Sequence, residues 1–212
     1  MSSVTSILLV DDHAIARRGC RQLLEQANFK AIREATSGEE ALYSYLEEKP
    51  QIIVMDLSMA GMGGLEAIRR ILSRTPSTRI VVFTMHDDPT FAARALRAGV
   101  LGYVTKTSPP ECLVEAVRRA LNGKIYLSQD IAQALALCNL KPGAHPLTSL
   151  SNREFDVFQM LVEGKTCAQI AATLSLSQKS VSNYSLRIKQ KLGAQSVADL
   201  VRIAITHGVP KH

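Results

Sequence analysis

IIVMDLSMAGMGG, residues 52–64, sets an unbroken apolar run directly against a carboxylate, Asp56, and a loop that ends in glycines. An unbroken run differs from the alternating pattern of a half-exposed strand. Both of its faces must be covered, as in a parallel sheet between two helical layers. Ile80-Val81-Val82-Phe83 has the same character. Working outward from these runs, strands are predicted over 6–10, 31–35, 51–56, 79–84 and 101–104. Helices are predicted over 13–27, 38–48, 64–74, 89–98 and 109–121, where apolar residues return at helical spacing: Leu65, Ile68, Ile71 and Leu72 share one face, Leu113, Val114, Val117 and Leu121 another. Five β-α repeats predict an α/β fold with a doubly wound, five-stranded parallel sheet. Ligand chemistry in that architecture gathers beyond the carboxyl ends of the strands.

The residues at those ends carry the chemistry. The first strand runs into Asp11 and Asp12, the third ends on Asp56, the fourth on Thr84, and Lys106 follows the fifth. Crowded carboxylates repel, and burying them is costly unless a cation neutralises them. A hard divalent ion meets that need, and Mg²⁺ is the expected choice because it keeps waters and takes a phosphate oxygen. A carboxylate beside it can attack a phosphoryl donor to give an aspartyl phosphate. Thr84 and Lys106 would then bind the new oxygens. Each residue also has an ordinary reading: helix caps for Asp11 and Asp12, a turn for Asp56, a strand residue for Thr84, a solvated amine for Lys106. The order and placement of all five favour the site.

From 122 to 146 the periodicity weakens, with a candidate helix at 128–140 and a turn-rich linker at 141–146, KPGAHP. The expected division is therefore 1–121, a linker at 122–146, and 147–212. The last segment shows only helical patterns, at 151–163, 166–174, 177–192 and 196–207, with Gly164 and Gly193 at two of the stops. Thr166 and Gln169 have capping-box spacing. Ile170, Ala171 and Leu174 face inward on one helix, and Val181, Ile188 and Leu192 on the next, across the tight turn 175–177. Two helices so joined make a helix-turn-helix. The outer face of the second carries Lys179, Ser182, Asn183, Arg187, Lys189 and Lys191, short hydrogen-bonding groups for base edges and cations for phosphates. A plain helical hairpin with a solvated face is the alternative.

Charge follows the same division. The net charge is +6, yet residues 1–120 hold 15 basic against 14 acidic side chains, while 147–212 hold 8 against 4. The second segment is the one with an electrostatic reason to approach a polyanion. The chain has 46% hydrophobic and 21% charged residues, an ordinary globular balance. Its longest apolar runs are too short to span a bilayer, and no basic-then-apolar leader opens it, so no membrane partner and no signal peptide are expected. Cys20, Cys112, Cys138 and Cys167 form no CxxC pair, and reduced core thiols in a cytoplasmic protein are expected.

ILLVDDH (7–13), VMDLSMAGMGGLEA (54–67), VVFTMHD (81–87) and AGVLGYVTK (98–106) together resemble the receiver domain of two-component response regulators. The resemblance implies Asp56 as phosphoacceptor and Asp11 and Asp12 as Mg²⁺-binding acids. It also implies the Ser58 backbone carbonyl as a further ligand, Thr84 and Lys106 as switch residues, and Tyr103 as an aromatic that turns inward on activation. A plain core or surface tyrosine is the other reading of Tyr103. Residues 150–205 are similar to the LuxR-type helix-turn-helix of NarL/FixJ-type regulators. That implies 177–192 as the recognition helix, 196–207 as a dimerisation helix, and promoter DNA, a second copy, a sensor histidine kinase and RNA polymerase as partners. Phosphorylation would then shift an interdomain and dimer equilibrium so that 177–192 reads DNA.

The chain departs from the receiver pattern at Ala60 and Thr107, where proline is usual, and Gly63-Gly64 makes the loop after Asp56 more permissive. Without proline a cis bond at Thr107 costs roughly 2.5–4 kcal/mol, so cis geometry there stays open. In the second pattern, Tyr184 replaces a common histidine, and Ser182 and Ala168 replace frequent lysines. Two other readings remain: a phosphohydrolase using Asp56 as nucleophile, and a DNA-binding module that works without phosphorylation. No second acid is placed to activate water repeatedly, which weighs against the first, and the intact acidic set weighs against the second.

Overall fold

The computed structural model describes residues 5–140 and 146–207. Six strands form one parallel sheet: β1 (Ser6–Val10), β2 (Ala31–Ala35), β3 (Ile52–Met55), β4 (Ile80–Thr84), β5 (Gly102–Thr105) and β6 (Tyr126–Leu127). Their order is β2-β1-β3-β4-β5-β6. Helices α1 (Ala14–Gln26), α2 (Gly38–Glu48), α3 (Gly64–Arg74), α4 (Pro89–Ala98) and α5 (Pro110–Leu121) alternate with the first five strands, and α6 (Gln129–Leu140) follows the sixth. β3 is wholly buried and β1 and β4 nearly so, while β2 at the edge exposes Arg33 and Glu34. The unbroken apolar runs are therefore the strands covered on both faces.

The sheet corrects the expectation of five strands. β6 pairs in parallel with β5, Gly102 opposite Tyr126 and Tyr103 opposite Leu127. At two residues inside a turn-rich stretch, it has no periodicity to read, and its existence depends on a partner more than twenty positions upstream. The strand falls in the stretch expected as linker. The predicted helix at 128–140 appears as α6, whereas the turn-rich 141–145 lies outside the described residues.

Register aligns the strand ends. Val10 pairs with Met55, and Thr84 with Thr105. One residue further, the Asp56 N–H donates to the Val10 carbonyl at 2.9 Å and the Lys106 N–H to that of Thr84 at 2.7 Å. The strand order reverses at β1, so the crevice between β1 and β3 is the topological switch point.

The loop after β3 is held by close approach rather than by freedom. A Cβ on Gly64 would lie 1.9 Å from the Asp56 carbonyl oxygen, closer than any side chain tolerates. The Gly64 N–H donates to the Leu57 carbonyl at 3.1 Å. Gly63 takes a positive φ of 59°, the conformation glycine adopts at least cost. The sequence reading of this pair as a loosening element is thus corrected: Gly64 lets the start of α3 pack on the backbone of Asp56.

The second compact unit holds a short 3-10 turn (Pro146–Ser149) and helices α7 (Asn152–Val162), α8 (Cys167–Leu174), α9 (Gln178–Leu192) and α10 (Val197–Thr206). Three start with reciprocal capping boxes, Ser151 with Glu154, Thr166 with Gln169 and Ser196 with Asp199, and Ser177 caps α9 by accepting from the Ser180 N–H. Gly193 ends α9 in the left-handed conformation, as its position predicts. Phe155, Phe158, Ile170, Leu174, Val181, Ile188 and Leu200 make the core, with Leu192 half-buried at its margin. Of the cysteines Cys20 is buried, and burial above all pushes its thiol up to about 12. The other three are half-buried, so the expectation of four core thiols is corrected.

Candidate functional site

On the carboxyl edge of the sheet, Asp11 and Asp56 are both 2% exposed. Lys106, its side chain 11% exposed, bridges them, its ammonium donating to Asp56 Oδ2 at 2.6 Å and Asp11 Oδ2 at 2.7 Å. Burial pulls the lysine toward neutrality, but the facing charges of Asp56 and Asp11 outweigh it and hold its pKa above the ordinary value. Asp12 stands further out, its Oδ1 2.8 Å from His13 Nδ1. Ligand atoms of Asp11, Asp12, His13 and Asp56 all lie within 4.8 Å of one another. Three carboxylates in the cluster, two of them on the one ammonium, leave an excess of two negative charges, and oxygen donors in that number suit a hard divalent cation. The residues fit such an ion. His13 is a further donor that sequence reasoning passed over.

Around this centre the loops are tied together. The Ser58 N–H donates to Asp56 Oδ1 at 3.1 Å, fixing the carboxylate from its own loop. Thr84 ends β4 fully buried, and its hydroxyl accepts from the His86 N–H at 3.4 Å. Tyr103 lies inside the fold, where its hydroxyl donates to the His86 carbonyl at 2.9 Å. A buried Tyr103 is common to the switch reading and to the plain core reading, and excludes the surface one. His86 also faces Ser58 Oγ through Nε2 at 2.8 Å and stacks on Phe91 with ring centroids 3.9 Å apart. One buried histidine thus touches the loop after Asp56, the threonine of β4 and the aromatic of β5. Sequence reasoning missed it, because a histidine two positions past a strand end carries no periodic signal.

In the second unit, α9 presents Lys179, Ser182, Asn183 and Arg187 to solvent, with Lys189 half-buried. The Ser182 hydroxyl turns back to the Gln178 carbonyl at 3.0 Å. Lys191 is placed differently from its neighbours: its ammonium donates to Glu154 Oε2 at 2.7 Å and to the Ser149 carbonyl at 3.2 Å. Glu154 is buried, and its Oε2 also accepts from the Ser151 N–H at 2.7 Å. Burial raises the Glu154 carboxyl, but Lys191 and Ser151 together hold it below the usual range. Lys191 therefore clips α9 to the start of α7.

The family "Response regulator receiver domain" matches residues 7–118, and "Bacterial regulatory proteins, luxR family" matches 148–204. The chain belongs to the response regulators of the NarL/FixJ type. It is 36% identical over 207 residues to Response regulator UvrY of Escherichia coli (strain K12), covering 96% of this chain and 95% of that protein. It is 42% identical over 208 residues to Transcriptional activator protein ExaE of Pseudomonas putida, covering 96% and 97%. Among solved structures, RcsB from Salmonella enterica serovar Typhimurium, bound to promoter rprA with phosphomimetic BeF3-, matches with a TM-score of 0.74 at 26% identity, over 95% of this chain and 99% of that one. This response regulator is accordingly a two-component transcriptional regulator with a receiver and a LuxR-type DNA-binding domain. No helix among the described residues is long and apolar enough to cross a membrane.

Proposed function

We propose that Asp56 of this regulator accepts a phosphoryl group from a sensor histidine kinase and that the modified chain binds promoter DNA through α9. The observation that carries the reading is the buried pair Asp11 and Asp56 bridged by the Lys106 ammonium at 2.7 and 2.6 Å. An Asp56 carboxylate oxygen forms the new bond to phosphorus as the phosphorus–nitrogen bond to the donor imidazole breaks, and that electron pair stays on the imidazole. Asp11, Asp12, Asp56 and the Ser58 carbonyl would hold Mg²⁺, which would neutralise the surplus charge of the site. Lys106 then turns from bridging two carboxylates to holding the added group, with Thr84 as the second donor. Asp56 is consumed stoichiometrically, so the chain is a phosphoacceptor rather than an enzyme turning over phosphoesters.

At the other end, Asn183 in the early turns of α9 reads base edges, while Lys179, Arg187 and Lys189 hold phosphates. Phosphorylation shifts the balance toward a dimer in which α10 contributes the contact, and two α9 helices then meet half-sites about one helical turn apart, roughly 34–36 Å. RNA polymerase is the partner such a promoter-bound dimer would meet, and the reading puts the chain in the cytoplasm with the DNA. Incubation with acetyl phosphate and Mg²⁺ tests the chemistry. One slowly lost adduct on Asp56 is expected. Rapid multiple turnover would instead mark a phosphohydrolase, and no adduct at all a module that works without phosphorylation.

A further inference from the structure

Thr105, the residue before Lys106, is buried and holds a second set of contacts. Its Oγ1 donates to Asp130 Oδ2 at 2.9 Å. A hydroxyl has one proton, and a carboxylate can only accept it, so the Ser108 and Thr107 hydroxyls, at 2.7 and 3.1 Å, must donate to that same oxygen. Asp130 sits in the first turn of α6. Burial raises its carboxyl, but the hydroxyls of Ser128 and Thr105 and the local backbone N–H groups outweigh this and keep it below the usual range. Two residues earlier, the Ser128 N–H donates to the Tyr103 carbonyl at 3.0 Å. β5 therefore grips the start of α6 twice, through the backbone of Tyr103 and the side chain of Thr105. The ladder between β5 and β6 already fixes the strand, so the sheet itself does not require the side-chain grip.

We propose that the Thr105–Asp130 hydrogen bond is the catch through which the acidic site and helix α6 respond to each other. The inference rests on the reading that Asp56 takes a phosphoryl group. Once it does, Lys106 follows the added oxygens instead of bridging Asp11 and Asp56, and the adjoining Thr105 moves with it. Hydrogen bonds are directional and weaken steeply with misalignment, so the Thr105 hydroxyl lets go of Asp130 and the first turn of α6 loosens. α6 is the segment through which the chain continues toward α7–α10, so a change at its start is passed on by covalent connection. Coupling is reciprocal: if phosphorylation releases the catch, removing the catch favours the phosphorylated state. Asp130 is a positioning residue here, acting on the site through Thr105 and Lys106.

Hydrogen–deuterium exchange over α6, on the full chain with Mg²⁺ and with or without beryllofluoride, reads the catch directly. Beryllofluoride should speed exchange in the first turn of α6 in the wild type and in Thr105→Ser, which keeps the hydroxyl. Thr105→Val and Asp130→Ala, altered at opposite ends of the bond, should exchange fast there beforehand and show no further response. Fluorine NMR should find beryllofluoride bound about three- to tenfold more tightly by both, the equivalent of one hydrogen bond of net strength. The catch is refuted if wild-type chain binds beryllofluoride with α6 exchange unchanged, or if folded Thr105→Val responds as wild type does. Labelling with acetyl phosphate keeps the two levels apart. A wild-type chain that takes no phosphoryl group overturns the underlying reading together with the catch, whereas a labelled chain with a silent α6 overturns the catch alone.

Discussion

Two lysines in this regulator hold buried carboxylates at nearly equal distance, and the difference between them separates chemistry from scaffolding. Lys106 stands 2.6 Å from Asp56 and 2.7 Å from Asp11, one ammonium for two buried acids, and the more exposed Asp12 adds a third carboxylate to the cluster. Lys191 stands 2.7 Å from Glu154, one ammonium for one acid, with the Ser151 N–H on the same oxygen. The second arrangement is balanced and asks for nothing more. The first is short of positive charge, and its oxygen donors fit a divalent ion. Buried charge by itself does not mark a reactive site; uncompensated buried charge does.

Removing either ammonium should separate the two sites. Lys106→Met should cost about 3–5 kcal/mol in stability, because it strands two buried carboxylates. Added Mg²⁺ should restore part of that, which chemical denaturation with and without the ion would reveal. Gly64→Ala should cost about 3 kcal/mol or more, since the new methyl meets backbone that cannot step aside, and it should slow labelling of Asp56 although no charge has changed. Lys191→Met should cost only about 1–2 kcal/mol, because the Lys191 side chain is 41% exposed and Glu154 keeps its capping bond.

DNA binding sharpens the contrast on the second unit. Lys179→Ala should lower the slope of log affinity against log salt by about one, the signature of one lost phosphate contact. Lys191→Met should leave that slope alone, because its ammonium is already occupied by Glu154. Equal loss of slope in both variants would return Lys191 to the DNA face. The smallest effect is in pH. Glu154 titrates below its ordinary 4.5 in the folded chain, so its contribution is present above that value and is lost as pH falls through the folded pKa. The stability gap between wild type and Lys191→Met should stay flat above roughly pH 5 and close in acid. Lys106, raised above its ordinary 10.5, contributes fully below that value and loses its hold only as pH rises through the folded pKa.

Much of this was legible in the sequence because the fold and the site share one signal. Apolar runs ending on Asp11, Asp56 and Thr84 announce a parallel sheet and gather its chemistry at one edge. What escaped depends on partners distant along the chain. β6 exists because Tyr126 and Leu127 find β5, not because two residues have a pattern. Lys191 looks like any cation on a polar face until Glu154, 37 positions away, is found beside it. His86 gains its meaning from Ser58, 28 positions away, and Tyr103, 17 positions away, as much as from nearby Thr84. Gly64 reads as flexibility when seen alone and as close packing once the Asp56 carbonyl is seen against it.

On the function proposed above, the state of Asp56 governs how α9 meets DNA. The affinity of the full chain for duplexes selected from a random pool, with Mg²⁺, before and after beryllofluoride, reads that dependence. Wild type should bind those duplexes more tightly and as a dimer after beryllofluoride, while Asp56→Asn should show neither change. Equal affinity and stoichiometry before and after treatment, in a chain shown to carry beryllofluoride on Asp56, would mean that α9 does not respond to Asp56.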